Sequence, residues 1–228
     1  MRNLVSVIII LLLISILSGC KNHVSHQKGN IESDPLETMI ADIWNNSTFK
    51  NEISFQIFKI AMKGYYHLDG FKSGKISIID YSKPSTDKRL FVIDLNLKNL
   101  VFHTYVAHGK NTGENNANKF SNKPNSNMSS LGFYKTAETY YGKNGYSLRL
   151  DGLEKGINNK ARDRSIVMHG ANYVSKNFID KYGKLGRSLG CPALPVNEAE
   201  AIINSIANGY CLFIYGKDKT YSRTSKIK

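Results

Sequence analysis

Residues 165–195 read SIVMHGANYVSKNFIDKYGKLGRSLGCPALP, a stretch holding both a histidine at the end of an apolar run and a cysteine in a glycine-rich turn. Ile166, Val167 and Met168 read as a short strand, so His169 is expected to emerge at its end. Gly170 has no side chain to obstruct the imidazole, which is expected to reach outward. Further on, Arg187-Ser188-Leu189-Gly190-Cys191-Pro192 reads as a tight segment in which Gly190 takes an unusual φ and Pro192 stiffens the exit. Such a turn fixes the direction of Cys191 and brings backbone N–H groups towards it.

A histidine and a cysteine placed in this way are the parts of a thiol nucleophile and its base. The cysteine attacks as thiolate, and the histidine takes the proton and later delivers it to a leaving amine. Nearby N–H groups hold the oxyanion, each donor commonly worth ~3 kcal/mol. Acyl transfer is the reaction such a pair suits. An activating ion pair between His169 and Cys191 predicts faster alkylation at neutral pH than for a free cysteine of pKa ~8.5. Composition and spacing alone also fit a blander reading: a buried core thiol, and a strand-end histidine satisfied by a carbonyl.

Outward from this stretch, short β-rich runs occupy 76–81, 90–95, 100–107, 131–136, 146–150, 165–169 and 210–215, separated by glycine, asparagine and serine clusters. Met39, Ile40, Ile43 and Trp44 fit one helix face, and Ile53, Ile57, Ile60 and Ala61 fit a second that ends at Gly64. Ser175 is expected to cap a helix ending at Gly183, and Asn197 with Glu200 to open another closed by Gly209. The pattern predicts one mostly β domain with peripheral helices.

Among 228 residues, 41% are hydrophobic and 11% aromatic, enough for a full core and too apolar for wholesale disorder. Lys+Arg 31 against Asp+Glu 18 gives +13, an attraction to anionic surroundings. The basic residues are scattered rather than blocked, so nucleic acid is not expected as a partner. Three cysteines exclude a disulfide scaffold and a four-cysteine zinc site, and neither a metal nor a cofactor is expected. No phosphate-cradling glycine loop and no paired-carboxylate pattern appears, which disfavours nucleotide use and glycosidase chemistry.

Arg2 and Asn3 precede an apolar stretch from Leu4 to Leu17 broken only by Ser6 and Ser15, shorter than the ~20 residues a spanning helix needs. Residues 1–19 therefore read as a signal peptide. Ser18 and Gly19 before Cys20 resemble the lipobox of bacterial lipoproteins, which implies acylation of Cys20 and cleavage just before it. An ordinary secretory signal with a chance cysteine is the competing reading. Residues 20–35, with His23 and His26, read as a lipidated tether, 36–74 as an N-terminal helical segment, 75–217 as the catalytic domain, and 218–228 as a basic tail. The chain is expected in the cell envelope as a monomeric, membrane-anchored lipoprotein facing the periplasm or the cell surface.

His169-Gly170, a gap, and Ser188-Leu189-Gly190-Cys191 are similar to the signature of the L,D-transpeptidase catalytic domain (YkuD-like), which runs His, a gap, Ser/Thr-His-Gly-Cys. Val106-Ala107-His108-Gly109-Lys110, Phe120-Ser121-Asn122, Ser129 to Tyr134 and Gly145 to Gly152 resemble its murein L,D-transpeptidase subgroup. The resemblance implies an α+β, mainly β fold: a β-sandwich catalytic domain with N-terminal and peripheral helices.

What it implies for the site is specific to residues. Cys191 would attack the amide after the third residue of a tetrapeptide stem and form a thioester, with His169 as base and acid and the Gly170 carbonyl orienting the imidazole. The N–H groups of Cys191 and Gly190 would form the oxyanion hole. Ser188 and Arg187 would line the site, Arg187 gripping a stem-peptide carboxylate. Leu189 stands where the family motif has its second histidine, and Pro192-Ala193 replaces the usual residues after the cysteine. The substrate would be peptidoglycan stem peptides. A hydrolase with the same acyl-enzyme and a non-catalytic wall-binding lipoprotein are the rivals.

His108, Tyr140 and Tyr141 are further candidates for the substrate cleft, each with a structural alternative: a turn histidine, and aromatics packing a sheet. His67 and His103 read as packing residues and Cys211 as an inert core thiol. The asparagines at 111, 115, 116 and 118 suggest a mobile loop, a candidate lid.

Overall fold

The computed structural model describes residues 34–227. The readings of 1–19 as signal peptide, of Cys20 as lipid site and of nearly all the tether lie outside the described residues. Helix α1 (Pro35–Asn45) begins where Asp34 accepts a hydrogen bond from the Leu36 N–H and Pro35 occupies the first turn. Helix α2 (Phe55–His67) buries Ile57, Phe58, Ala61 and Met62 along one stripe. A Cβ on Gly64 would stand 2.0 Å from the Phe133 ring, so glycine is what lets this helix lie on the sheet.

Eight strands follow: β1 (Lys75–Asp80), β2 (Leu90–Asp94), β3 (Asn99–Thr104), β4 (Gly132–Gly142), β5 (Gly145–Gly152), β6 (Val167–Gly170), β7 (Ala193–Leu194) and β8 (Cys211–Tyr215). They form one sheet in the order β3-β2-β1-β8-β4-β5-β6-β7. The β1–β8 and β6–β7 pairs are parallel and the others antiparallel. The remaining helices among the described residues are α3 (Lys176–Tyr182), α4 (Val196–Ile206) and α5 (Lys219–Thr224).

Both faces of the central strands are covered, which is why they read as unbroken apolar runs. Ile76, Ile78, Phe91, Ile93, Cys211 and Phe213 point into a core shared with α1 and α2. Their neighbours Ile79, Leu90, Val92, Leu212 and Ile214 point into a second core with Leu148, Leu150, Val167 and Met168. Ile202, Ile203 and Ile206 of α4 close that second core. Strands from the two halves of the sheet thus meet across one interior, and the fold is the expected α+β, mainly β sandwich. Among the described residues no helix is long and apolar enough to cross a membrane.

Several local expectations need correction. Helix α4 starts at Val196 after Pro195, not at Asn197, because Pro195 at φ −57 already presents the first turn. It ends at Ile206, not Gly209: Asn208 (φ 62) and Gly209 (φ 114) turn the chain back into β8. Strand β4 runs on to Gly142, its outer half carrying polar residues that give no apolar signal. The end of the chain is more than a basic tail: α5 forms there, capped by Asp218, and Tyr221 and Ser225 both donate to the buried Glu154 carboxylate. His67 is exposed at the end of α2, where its Nδ1 meets the Lys63 carbonyl.

Candidate active site

The parallel pairing of β6 with β7 sets His169 beside Ala193. Cys191 lies just before β7, and the Val167 N–H at the start of β6 donates to its Sγ at 3.4 Å. The thiol in turn donates to the Ser165 carbonyl at 3.6 Å. The amide that meets the sulfur therefore comes from the neighbouring strand, not from the cysteine's own turn. The strand whose first amide meets the thiol carries His169 two residues further on.

Both groups are buried. His169 is 5% exposed and does not reach out into solvent, and Cys191 is 9% exposed. Burial pushes the Cys191 thiol up, with the Val167 N–H and the Arg164 charge opposing it. Burial pushes His169 down against the opposing pull of the Gly170 carbonyl. Both shifts favour the neutral forms and so oppose the expected ion pair. His169 Nδ1 lies 2.9 Å from the Gly170 carbonyl oxygen, which only accepts, so Nδ1 carries the proton and Nε2 is the basic nitrogen.

The 187–191 turn is organised by Ser188. Its hydroxyl donates to the Cys191 carbonyl at 2.6 Å and accepts the Gly190 N–H at 3.0 Å. The Gly190 N–H, expected in an oxyanion hole, is thus already committed, whereas the Cys191 N–H makes no hydrogen bond among the described residues. Gly190 takes φ +128, and a Cβ on it would stand 2.9 Å from the Met128 carbonyl, so the turn requires glycine. Arg187 does not reach for a substrate carboxylate: it pairs with Glu114 and donates to the Lys110 carbonyl. Glu114 also pairs with Lys184, and Asn115 Oδ1 receives the Ser85 N–H and hydroxyl, which ties down the loop read as mobile.

His108 is a fully buried strut. Its Nδ1 accepts from Arg89 Nη2 at 2.8 Å, so Nε2 carries the hydrogen and donates to the Gly113 carbonyl at 3.2 Å. Burial and the Arg89 charge push its pKa down to about 4. Tyr140 is covered by Arg149, whose guanidinium lies 4.2 Å from the ring centre, and Tyr141 is 77% exposed on the β4–β5 hairpin. Two clefts are lined by residues that flank the pair in sequence, though by neither His169 nor Cys191. One of about 330 Å³ is lined by Asn125, Asn127, Arg164, Ser165, Ile166 and Leu189. The other, about 380 Å³, is lined by Gly145, Tyr146, Gly170, Ala171, Val196 and Glu200. Neither His108, Tyr140 nor Tyr141 lines either cleft; Tyr141 comes nearest, packing its ring 5.1 Å from that of the cleft residue Tyr146, its cross-strand partner.

A family model of the L,D-transpeptidase catalytic domain matches residues 49–215. The chain belongs to the L,D-transpeptidase catalytic domain family. Its similarity to solved structures is remote. An L,D-transpeptidase from Mycobacterium smegmatis aligns at 10% identity and a TM-score of 0.39, covering 63% of this chain and 59% of that one. One from Stackebrandtia nassauensis aligns at 15% identity and a TM-score of 0.38, covering 82% and 69%. L,D-transpeptidase 3 from Mycobacterium tuberculosis aligns at 11% identity and a TM-score of 0.40, covering 63% and 61%. The chain thus spans about three-fifths of the first of these relatives. No curated protein matches it.

In this L,D-transpeptidase-family domain, Leu189 is 65% exposed at the cleft mouth, an apolar rim where the motif it resembles has an imidazole. Two arginines escaped the sequence reading. Arg89 is buried and, among the described residues, forms no ion pair with a carboxylate; Nε and Nη2 donate to the Val106 carbonyl at 3.0 and 2.8 Å, and Nη1 to that of Lys83. Burial pulls its pKa down to about 10. Through the bridges Ala107–Ala193 and Gly109–Ser188 this post braces the segment carrying Cys191. Arg164 stands at the entrance to β6, and its place immediately before the apolar run was the one sequence signal that pointed to it.

Proposed function

We propose that this L,D-transpeptidase-family chain is a peptidoglycan-remodelling cysteine acyltransferase, a murein L,D-transpeptidase that forms a thioester on Cys191. Sγ attacks the carbonyl carbon after the third residue of a stem peptide as His169 Nε2 takes the thiol proton. The C–N bond breaks, the proton passes to the departing amine, and the acyl group stays on sulfur. An acceptor amine from a second stem then attacks the thioester, giving a cross-link and returning the thiol. The Cys191 N–H is the available donor for the oxyanion.

The observation that carries this reading is the contact of Cys191 Sγ with the first amide of the strand that carries His169, in a chain of this family, with Nδ1 of that histidine held by a carbonyl and Nε2 left basic. The proposal includes attachment to the cell envelope through a lipid on Cys20, which suits an enzyme working on an immobile wall polymer. Intact-mass spectrometry of the full chain with a tetrapeptide stem, then with an amine acceptor, tests it. An adduct mapping to Cys191 and discharging into a cross-linked product is expected. Discharge only to water assigns a hydrolase, and no adduct on folded protein with a free thiol overturns the acyltransferase reading.

A further inference from the structure

Arg164 is a half-buried guanidinium at the rim of the cleft beside Cys191. Nη1 donates to the Ser121 carbonyl at 2.8 Å and the Ser130 hydroxyl at 2.6 Å; Nη2 donates to the Ser126 hydroxyl at 3.2 Å and the Met128 carbonyl at 2.6 Å. All four partners are neutral oxygens, and among the described residues Arg164 forms no ion pair. Its neighbour Arg162 is matched by Asp151 and Glu138 instead. The fork is therefore clamped in one orientation while its charge is left uncompensated.

That charge is aimed at the cysteine turn. A Cβ on Gly190 would lie 3.5 Å from Arg164 Nη2, and the Ser165 carbonyl that receives the thiol proton belongs to the next residue. The tyrosines whose charge would be felt at the sulfur, Tyr81 and Tyr173, are both pushed up to about 12 by burial, and burial likewise disfavours the charged form of His169 on the adjoining strand. Asp163 is the one carboxylate lining the same cleft.

We propose that Arg164 is the fixed cation of this site, stabilising the negative charge on Cys191 once its proton has left. A buried thiol beside a neutral histidine needs such a charge, because desolvation otherwise penalises the thiolate. The catalytic consequence rests on the acyltransferase reading, but the thiolate can be titrated without any substrate.

The test is the pH profile of iodoacetamide alkylation at Cys191 in the full chain, read by peptide mapping so that Cys20 and Cys211 do not contribute. Arg164→Gln keeps hydrogen-bond donors for the loop and removes the charge; it is expected to react about tenfold more slowly at pH 7, the profiles converging at high pH. Arg164→Lys, which keeps the charge, should recover to within about threefold of the parent. Asn127→Asp, which adds a negative charge to the same cleft at a backbone position that Asp tolerates, should slow the reaction several-fold. Superimposable profiles for the parent and folded Arg164→Gln, or equal losses in the Gln and Lys variants, would overturn the proposal. If Arg164→Gln does not fold, an unchanged profile in Asn127→Asp does so. Absence of an acyl adduct in the parent defeats the proposed function and leaves this profile to stand or fall by itself.

Discussion

The Ser188 hydroxyl donates to the carbonyl of Cys191 at 2.6 Å while accepting the N–H of Gly190, so one buried side chain closes the turn that aims the thiol. Ser188→Ala leaves a buried carbonyl and a buried amide without that partner, a cost of about 1–3 kcal/mol. Because the turn loses its closure, thioester formation is expected to fall by at least about tenfold, more than the stability change alone would produce. Acylation kinetics alongside a melting curve check this. A variant with full acylation would show that the turn holds without its hydroxyl.

The resting pair bears on reactivity. With the thiol pushed up and the imidazole pushed down by burial, free Cys191 is expected to alkylate more slowly at pH 7 than a small-molecule thiol of pKa ~8.5. Its rate should still be climbing above pH 9. His169→Ala is expected to abolish thioester formation while changing that resting alkylation rate little, since no imidazolium is present to be lost. A parent protein that outpaces the free thiol at pH 7 would contradict the neutral pair.

Acid should unfold this domain partly through His108. Its pKa stands at about 4 in the folded chain against 6.5 when unfolded, so below pH 6.5 the unfolded state binds the extra proton. The associated stability is fully present above 6.5 and lost as the pH falls towards 4, roughly 3 kcal/mol in all. His169, also pushed down by burial, acts in the same direction. Denaturation midpoints measured from pH 7 to pH 4 should fall less steeply in His108→Gln than in the parent. Parallel slopes would mean that His108 is not the group being titrated.

Removal of residues 218–228 should destabilise the domain. The Glu154 carboxylate is 7% exposed and takes hydrogen bonds from the Tyr221 and Ser225 hydroxyls besides the Phe133 N–H. Without the last segment it loses two of its donors, and the apolar contacts of Tyr221 and Ile227 go with them. A loss of about 2–4 kcal/mol is expected in urea unfolding. An unchanged midpoint would show that the segment adds nothing to stability.

Local chemistry was legible where it depends on neighbours in the chain. Ser175 accepts the Phe178 N–H and Gly183 ends α3 at φ 73, as capping and left-handed turn preferences require. The apolar runs at β1, β2 and β8 gave their strands, and His169 and Cys191 stood out by where they sit in their runs. Arg187 was misjudged because its partner, Glu114, lies in a distant loop, and no spacing rule announces such a pair. The structural alternative for His108 holds, but its partner Arg89, just before β2, is as remote in sequence and no spacing rule announces that pair either.

Sequence by itself thus determined the family, the secondary structure of the core, and the cysteine and histidine around which the site is built. Only the tertiary structure decided that burial favours the neutral forms of both groups, that Ser188 occupies the Gly190 amide, and that Arg164 keeps an unmatched charge beside the cysteine turn. The physical reason is the range of the forces involved. Period, caps and turn residues act over a few neighbours, whereas burial and charge pairing depend on which remote segments the fold brings together.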